Sequence, residues 1–431
     1  MLTVEENELM TRVGPGTPMG EVLRRYWVPA TLSTELPDPD CPPIRVRILG
    51  EDLVAFRDTN GDVGLLDNFC PHRRASLFFG RNEEYGLRCV YHGWKFDING
   101  DCVDMPSEPA ESNFKDKVKI KAYPAYEAGG VVWAYMGPAA LMPPRMTFEV
   151  LGLPDDQVMV NRNYSLCNFV QAMEGSIDSS HIGFLHRNLN ELDMSDFDDG
   201  TDKLGFPSTK MSTKIRGAFR NPHLSVQKTD YGIRYAGIRT TPNGHQHLRI
   251  TTNIFPFFNM TSRLPDQGVG LSCFMPVDDE THYRYNISGK LDRPFTPEER
   301  ERRGASPRGV DENGQPLRGK WNDFLIDRKM QKEVSYTGIT GVNTQDQAVT
   351  ESMEPITDRW NEHLGTTDAA IIHVRRALVN AARQYQEGDE PPSIPPDIMH
   401  NIRAHEEIVP ADADWRLYGA FAGEDRGVTV K

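Results

Sequence analysis

Two cysteine–histidine pairs, Cys70-Pro71-His72 and Cys89-Val90-Tyr91-His92, constrain this chain more than any other feature, since four such side chains close together hold metal. Cys70 and His72 are two Cα steps apart, at most about 7 Å in an extended loop, so neighbouring ligands of one loop can reach two different ions. Cys89 and His92 repeat the arrangement, and each loop supplies one sulfur and one nitrogen. A Cys2His2 zinc site would use the same four residues. Zinc sites, however, usually follow C-x2-4-C and H-x3-5-H spacing, whereas here cysteine and histidine alternate.

The alternation matches a Rieske [2Fe–2S] centre, with thiolates on one iron and neutral imidazoles on the other. Imidazoles reduce the negative charge of the cluster and raise its potential to roughly -150 to +300 mV, against about -400 mV for plant-type clusters held by four thiolates. Pro71, and Gly93-Trp94 directly after His92, extend the match. Together these loops resemble the Rieske loops of aromatic-ring-hydroxylating oxygenases.

At 431 residues the chain exceeds what one core usually fills, so two domains are expected. Apolar content of 38%, charge of 26% and 31 prolines describe an ordinary soluble protein rich in loops. No window approaches 18 uninterrupted apolar residues, and Glu5, Glu6 and Glu8 stand where a signal peptide would be basic and then greasy, so a cytoplasmic location is expected. Of six cysteines, Cys41, Cys102, Cys167 and Cys273 follow no disulfide-like pattern and are expected to be buried small hydrophobes. A net charge of -14 without a Lys/Arg block opposes binding to nucleic acid or anionic membrane. Arg73-Arg74, beside His72, is either a docking point for an acidic electron donor or a pair of ordinary solvated arginines. Gly14, Gly16 and Gly20 do not form a dinucleotide loop, because Pro15 and Pro18 interrupt them and no strand precedes. Electrons from NAD(P)H must therefore come through another protein.

From about residue 44 to 137 the pattern is short and strand-like, at 44–49, 53–57, 63–67, 87–97, 118–123 and 130–137, with turn signals between several segments. A helix over about 18–26 precedes this all-β unit, and 138–145 reads as a linker. We therefore place a Rieske domain at 1–140 and a second domain at 141–431. The second mixes β-like segments (157–167, 224–239, 246–258, 271–277, 281–289) with a helix over 366–387, an α+β pattern, while 290–320 reads as a loop or insertion.

A second metal motif lies in this half. Read as one helix, Glu174, Asp178 and His181 share a face, but His186 falls about 140° beyond His181, so the helix must loosen between the histidines, and Gly183 is placed to allow it. Two imidazoles and a carboxylate on one side of Fe(II) form the facial triad of non-haem oxygenases. The D-x2-H-x4-H spacing of Asp178, His181 and His186 resembles the mononuclear-iron motif of the same family.

The resemblance covers about residues 1–390 and implies an antiparallel, helix-grip-like catalytic domain binding mononuclear Fe(II). It puts the third iron ligand at Asp346, after a Gly-rich turn (338–341), with Asp358 as the competitor. It gives Asp178 a catalytic role, bridging His92 of one chain and His181 of the next; the alternative is a carboxylate that merely orients His181. Of the family's branches, the phthalate 4,5-dioxygenase and O-demethylase group fits best. That implies electrons from a separate NAD(P)H-dependent flavin/[2Fe–2S] reductase, a homotrimer or dimer of trimers, and hydroxylation of a small aromatic substrate with O2. The activity is either dioxygenation of an aromatic carboxylate such as phthalate or monooxygenation, as in O-demethylation. A Rieske-type electron carrier would need only the first domain. Clamping of a carboxylate is expected from among Arg216, Arg234, Arg239 and Arg249; in a regular strand Arg234 and Arg239 face opposite sides, so at most one of them reaches the pocket.

Overall fold

The computed structural model describes residues 2–109, 111–189, 203–304 and 316–419. They form two compact units: a β unit from within Arg12–Arg145 and Met275–Asp279, and a larger unit from within Met1–Thr11, Met146–Phe274 and Glu280–Lys431.

The first two helices are α1 (Val4–Thr11), which belongs to the larger unit, and α2 (Pro18–Leu23), which belongs to the β unit and is capped by Thr17. The strands of the β unit are β1 (Trp27–Leu32), β2 (Ile44–Ile48), β3 (Glu51–Arg57), β4 (Val63–Asp67), β5 (Arg81–Glu83), β6 (Gly86–Arg88), β7 (Lys95–Phe96), β8 (Cys102–Asp104), β9 (Ala122–Tyr123), β10 (Ala125–Ala128) and β11 (Val131–Tyr135). They form three small sheets, β2-β3-β4-β9, β5-β6-β7-β8 and β1-β11-β10. Two corrections follow. The helix expected over 18–26 stops at Leu23, and the strand expected over 87–97 is broken by a loop between β6 and β7. Cys70 and Cys89 sit in one apolar cluster with Val54, Phe56, Leu66, Leu87 and Phe96, which roots both ligand loops in the core.

The larger unit holds β12 (Val158–Ser165), α3 (Phe169–Ile177), α4 (Ile182–Leu185), α5 (Thr209–Ala218), β13 (His223–Thr229), β14 (Gly232–Thr240), β15 (Gln246–Ile254), β16 (Phe258–Met260), β17 (Val269–Pro276), β18 (His282–Gly289), α6 (Pro297–Gly304), α7 (Arg328–Glu333), α8 (Val342–Ser352), α9 (Ala369–Glu387), α10 (Pro396–Met399) and β19 (His405–Val409). An eight-stranded antiparallel sheet runs β12-β18-β17-β16-β15-β14-β13, with β19 added to β15. The long helix α9 buries Ala370, Val374, Leu378, Ala381 and Ala382, the i, i+4 pattern of an amphipathic helix, and packs on β13 and β14. The helix α6 lies inside the stretch expected to be loop: Thr296 and Glu299 cap each other reciprocally, Glu299 N donating to Thr296 Oγ1 (3.2 Å) and Thr296 N to Glu299 Oε2 (3.0 Å). Residues 305–315 of that stretch lie outside the described residues.

The units also divide differently from the expected 140/141 boundary. The α1 segment joins the larger unit because Asn7 Nδ2 donates to Thr357 O (3.0 Å) and Arg359 Nη1 donates to Asn7 Oδ1 (3.0 Å). Residues 275–279 join the β unit because Leu49 N and Gly50 N donate to the Pro276 and Val277 carbonyls at 3.1 and 2.8 Å. Among the described residues no helix is long and apolar enough to cross a membrane. All six cysteines are buried, as expected for the four outside the cluster motif.

Candidate metal centres

The two ligand loops of the β unit are built alike. Cys70 N donates to Ala75 O (2.9 Å) and Arg74 N to Cys70 O (2.9 Å); Cys89 N donates to Trp94 O (2.8 Å) and Gly93 N to Cys89 O (2.9 Å). In each, the residue four beyond the cysteine has a left-handed backbone, Arg74 at φ 60° and Gly93 at φ 81°. At Gly93 a Cβ would stand 2.6 Å from Pro106 Cγ, so a side chain there is excluded both by φ and by space. The cysteines are buried, while His72 and His92 reach the surface with ring centroids 4.4 Å apart. His72 stacks on Trp94 at 4.3 Å and 9°, which holds its ring plane.

The Cys70 and Cys89 thiols hydrogen-bond each other. This pulls Cys89 down to about 6, against its burial and with help from the Tyr91 and His92 backbone N–H groups, and pushes Cys70 up. Donors to sulfur favour the thiolate that binds iron and tune a cluster's potential. His92 Nδ1 is buried without a hydrogen-bond partner among the described residues, so this imidazole keeps a nitrogen available to a metal. These four side chains are not gathered as a single ion would require: among the described residues, the one group of three or more His, Cys, Asp or Glu whose ligand atoms all lie within 4.8 Å of one another is elsewhere. Around one tetrahedral zinc, ligands stand roughly 3.5 Å apart. The set fits a two-iron cluster.

That other group is His181, His186 and Asp346. Helix α3 is capped by Asn168, whose Oδ1 accepts from Val170 N (3.1 Å), and it ends at Asp178, where ψ turns to 117°. The break thus precedes His181 instead of falling at Gly183, which corrects the expectation of a continuous helix through Asp178 and His181. The cause is Asp178 itself, whose Oδ1 accepts from Ser180 N (2.6 Å) and His181 N (3.4 Å), an Asx turn that competes with the helix. Gly183 lies inside α4, where a Cβ would meet Arg216 O at 3.0 Å.

Asp346 comes from α8, whose start is set by Gly341 at φ 92°. His186 Nε2 is 3.2 Å from His181 Nε2 and 3.1 Å from Asp346 Oδ1, and His181 Nε2 is 3.7 Å from that oxygen. Donors about 2.1 Å from one divalent ion and at right angles stand about 3.0 Å apart, so the three atoms suit one face of an octahedron. Burial works to raise Asp346, but the neighbouring His186 and His181 imidazoles and the Arg284 charge outweigh it, and the carboxyl lies below its ordinary value. Asp358 precedes a short 3-10 turn at 359–361 and joins no such group. Asp178 Oδ2 is 3.5 Å from His181 Nδ1, and its side chain keeps 22% of its surface exposed. Glu174 is engaged elsewhere: Arg375 grips it through Nε (2.6 Å) and Nη2 (3.0 Å), with Arg359 Nη2 at 3.4 Å.

Three of the four expected arginines converge. On β15, Arg249 lies opposite Glu406 of β19 and its neighbour His247 lies opposite Arg239 of β14. Burial and mutual repulsion lower Arg239 to about 9 and Arg216 to about 10, and burial holds His247 below its usual value and hence neutral. Glu406 is their carboxylate partner, hydrogen-bonded by His247 (3.0 Å) and Ser262 (3.2 Å) and 3.8 Å from Arg249 Nε. The group touches the iron loop, since Arg239 Nη2 donates to Ser179 O at 3.1 Å. Arg234 does not join it: the opposite strand face turns it to the Arg416 and Tyr418 carbonyls.

Two residues escaped sequence reading. Arg284, opposite Asn163 in the β18–β12 register, lines a cavity of about 210 Å³ together with His181, Asp346 and Asp178. Gln345 accepts at Oε1 from His186 Nδ1 at 2.7 Å. A period-two strand pattern and a place beside Asp346 were their available signals, and neither singles out a residue.

Residues 26–124 match the Rieske [2Fe–2S] domain family, and residues 134–429 match a family described as LigXa C-terminal domain like. The chain is 38% identical over 433 residues to the phthalate 4,5-dioxygenase oxygenase subunit of Pseudomonas putida, covering 97% of this chain and 95% of the relative. It is 38% identical to the 3-chlorobenzoate-3,4-dioxygenase oxygenase subunit of Comamonas testosteroni, covering 96% and 97%. In fold it is similar to the QL mutant of NdmA from Pseudomonas putida CBB5, solved with caffeine, at a TM-score of 0.60 and 19% identity, covering 92% and 99%. The cofactors are therefore a Rieske [2Fe–2S] cluster, which supplies one-electron transfer, and a mononuclear iron, which supplies O2 activation, and the chain is the oxygenase component of a multicomponent system. Matched along nearly its whole length, it belongs to the Rieske-type aromatic-ring-hydroxylating oxygenases, as a catalytic subunit of the phthalate dioxygenase and O-demethylase-like group.

Proposed function

We propose that this chain hydroxylates an aromatic carboxylate of the phthalate type, by cis-dihydroxylation of the ring. The observation that carries this reading is the buried Arg216, Arg239 and Arg249 group beside the His181 loop, with Glu406 as its carboxylate partner. Three cations against one anion leave an excess of positive charge in a desolvated place, which an incoming carboxylate offsets; arginine's planar fork suits it better than lysine. The two relatives named above act, by their descriptions, on phthalate and on 3-chlorobenzoate, both aromatic acids.

Titrating the reduced enzyme with phthalate, a methoxybenzoate and neutral toluene tests this. The acids are expected to bind and to stimulate NADH use with a compatible reductase. Arg249→Gln should weaken phthalate binding roughly 10- to 100-fold, the effect of losing about 1.5–3 kcal/mol of a charged hydrogen bond. Binding of toluene alone would remove the carboxylate reading. Product analysis then separates ring dihydroxylation from O-demethylation of the methoxylated acid.

Cys70, His72, Cys89 and His92 would hold the cluster, and His181, His186 and Asp346 the iron. The electron donor in this reading is a separate flavin/[2Fe–2S] reductase, and the exposed Arg73-Arg74 beside His72 offers an acidic donor a positive surface. Asp178, close to His181 yet partly exposed, would accept a hydrogen bond from His92 of a neighbouring chain, linking the centres in a closed ring, most simply a trimer. Asp178→Asn keeps size and removes charge. Both centres should still load, while electron transfer between them slows by orders of magnitude; an Asn variant transferring at the parental rate, or an active monomer, would sink the bridge.

A further inference from the structure

We propose that Gln345 is a positioning residue for the iron site: it fixes His186 in the tautomer that carries its proton on Nδ1, leaving the Nε2 lone pair for the metal. The inference rests on the reading of His181, His186 and Asp346 as ligands. Gln345 immediately precedes Asp346 on α8, so one helix turn supplies a ligand and, from the next side chain, the partner of another.

The hydrogen-bond polarity is determined from the outside inward. The Ile339 carbonyl is an acceptor, so the Gln345 group facing it at 2.8 Å is the Nε2 amide. That turns Oε1, an acceptor, toward His186 Nδ1 at 2.7 Å, which must then be the N–H. With the proton on Nδ1, His186 Nε2 faces His181 Nε2 and Asp346 Oδ1 as a lone pair. Gln345 is 7% exposed and Ile339 9%, so water does not easily substitute for either partner. The two histidines are thus held differently: His181 faces a carboxylate at 3.5 Å, His186 a neutral amide at 2.7 Å. A glutamine does what a glutamate cannot at this place, since it both accepts from the imidazole and donates to the Ile339 carbonyl.

Outer partners of metal-bound histidines are typically worth 10- to 100-fold in metal affinity. Two full-length variants separate the tautomer role from a structural one. Gln345→Leu removes the acceptor; Gln345→Glu keeps it and loses only the donor to Ile339. Fe(II) affinity is read by chelator competition, and the exchangeable imidazole N–H signals are read by proton NMR of the Co(II)-substituted protein. Gln345→Leu is expected to weaken Fe(II) about 10- to 100-fold and to lose the His186 N–H signal to solvent exchange. Gln345→Glu should hold Fe(II) within a few-fold of the parent and keep that signal. A Glu variant that loses metal as the Leu variant does would show that Gln345 merely holds the Ile339 turn, and overturns the proposal; so does a Leu variant with parental affinity and signal. If Gln345→Leu does not fold, the Glu arm decides alone by the same criterion. His186→Ala, measured alongside, isolates the ligand reading: parental iron affinity there would overturn the ligand set and the tautomer role with it.

Discussion

Replacing Cys70 with serine should eliminate the visible absorption and EPR signal of the Rieske centre while leaving the β unit folded. A hydroxyl is a hard, weakly acidic ligand where the iron demands a soft thiolate, so the loss should be complete. The fold has less at stake. Cys70 is 1% exposed in an apolar cluster, and a serine of nearly the same size brings one buried hydroxyl, a cost of about 1–3 kcal/mol unless it finds a partner. Visible spectra, EPR and far-UV circular dichroism on one preparation decide the matter. A Rieske EPR signal persisting in Cys70→Ser would exclude this residue as a ligand and reopen the cluster assignment.

Asp346→Ala should empty the iron site and abolish product, with the Rieske centre still reducible. Asp346 Oδ1 is the carboxylate oxygen that closes the group with the two imidazoles, and without it two neutral donors must hold a dication. The loss also strips Arg284 of the anion whose charge it shares in the 210 Å³ cavity. Iron per chain and product formed with reductase and substrate measure the outcome, and Asp358→Ala should match the parent in both. The reverse result, a dead Asp358→Ala beside a fully active Asp346→Ala, would transfer the third ligand to Asp358.

The metal motifs were the most legible part of the chain, because thiolate and imidazole chemistry tolerates few spacings. The α+β order, the long helix α9 and most strands also showed in their periodicity. What stayed hidden depended on partners distant in sequence. The break at Asp178 follows from one carboxylate choosing the Ser180 and His181 amides over solvent, and helical spacing gives no hint of that choice. The loop between β6 and β7 read as strand because its flanks are apolar and the turn rests on Gly93 alone. Strand β19 went unread although it carries Glu406, since the five residues HEEIV show no period-two alternation. The placement of α1 with the larger unit depends on Asn7, whose partners Thr357 and Arg359 lie some 350 residues away.

The twin closure of the cluster loops bears on how this protein gains and loses its cofactor. None of the four backbone hydrogen bonds at Cys70–Ala75 and Cys89–Trp94 uses a ligand atom, so the loop shape belongs to the sheets and not to the cluster. Fixing a residue's backbone costs about 1–2 kcal/mol of conformational entropy. In a zinc finger the metal must supply that ordering free energy, and chelation unfolds the domain. Here the fold has supplied it beforehand, so cluster assembly should be separable from folding: the apoprotein would remain a competent recipient, able to be bleached and reconstituted without a refolding step.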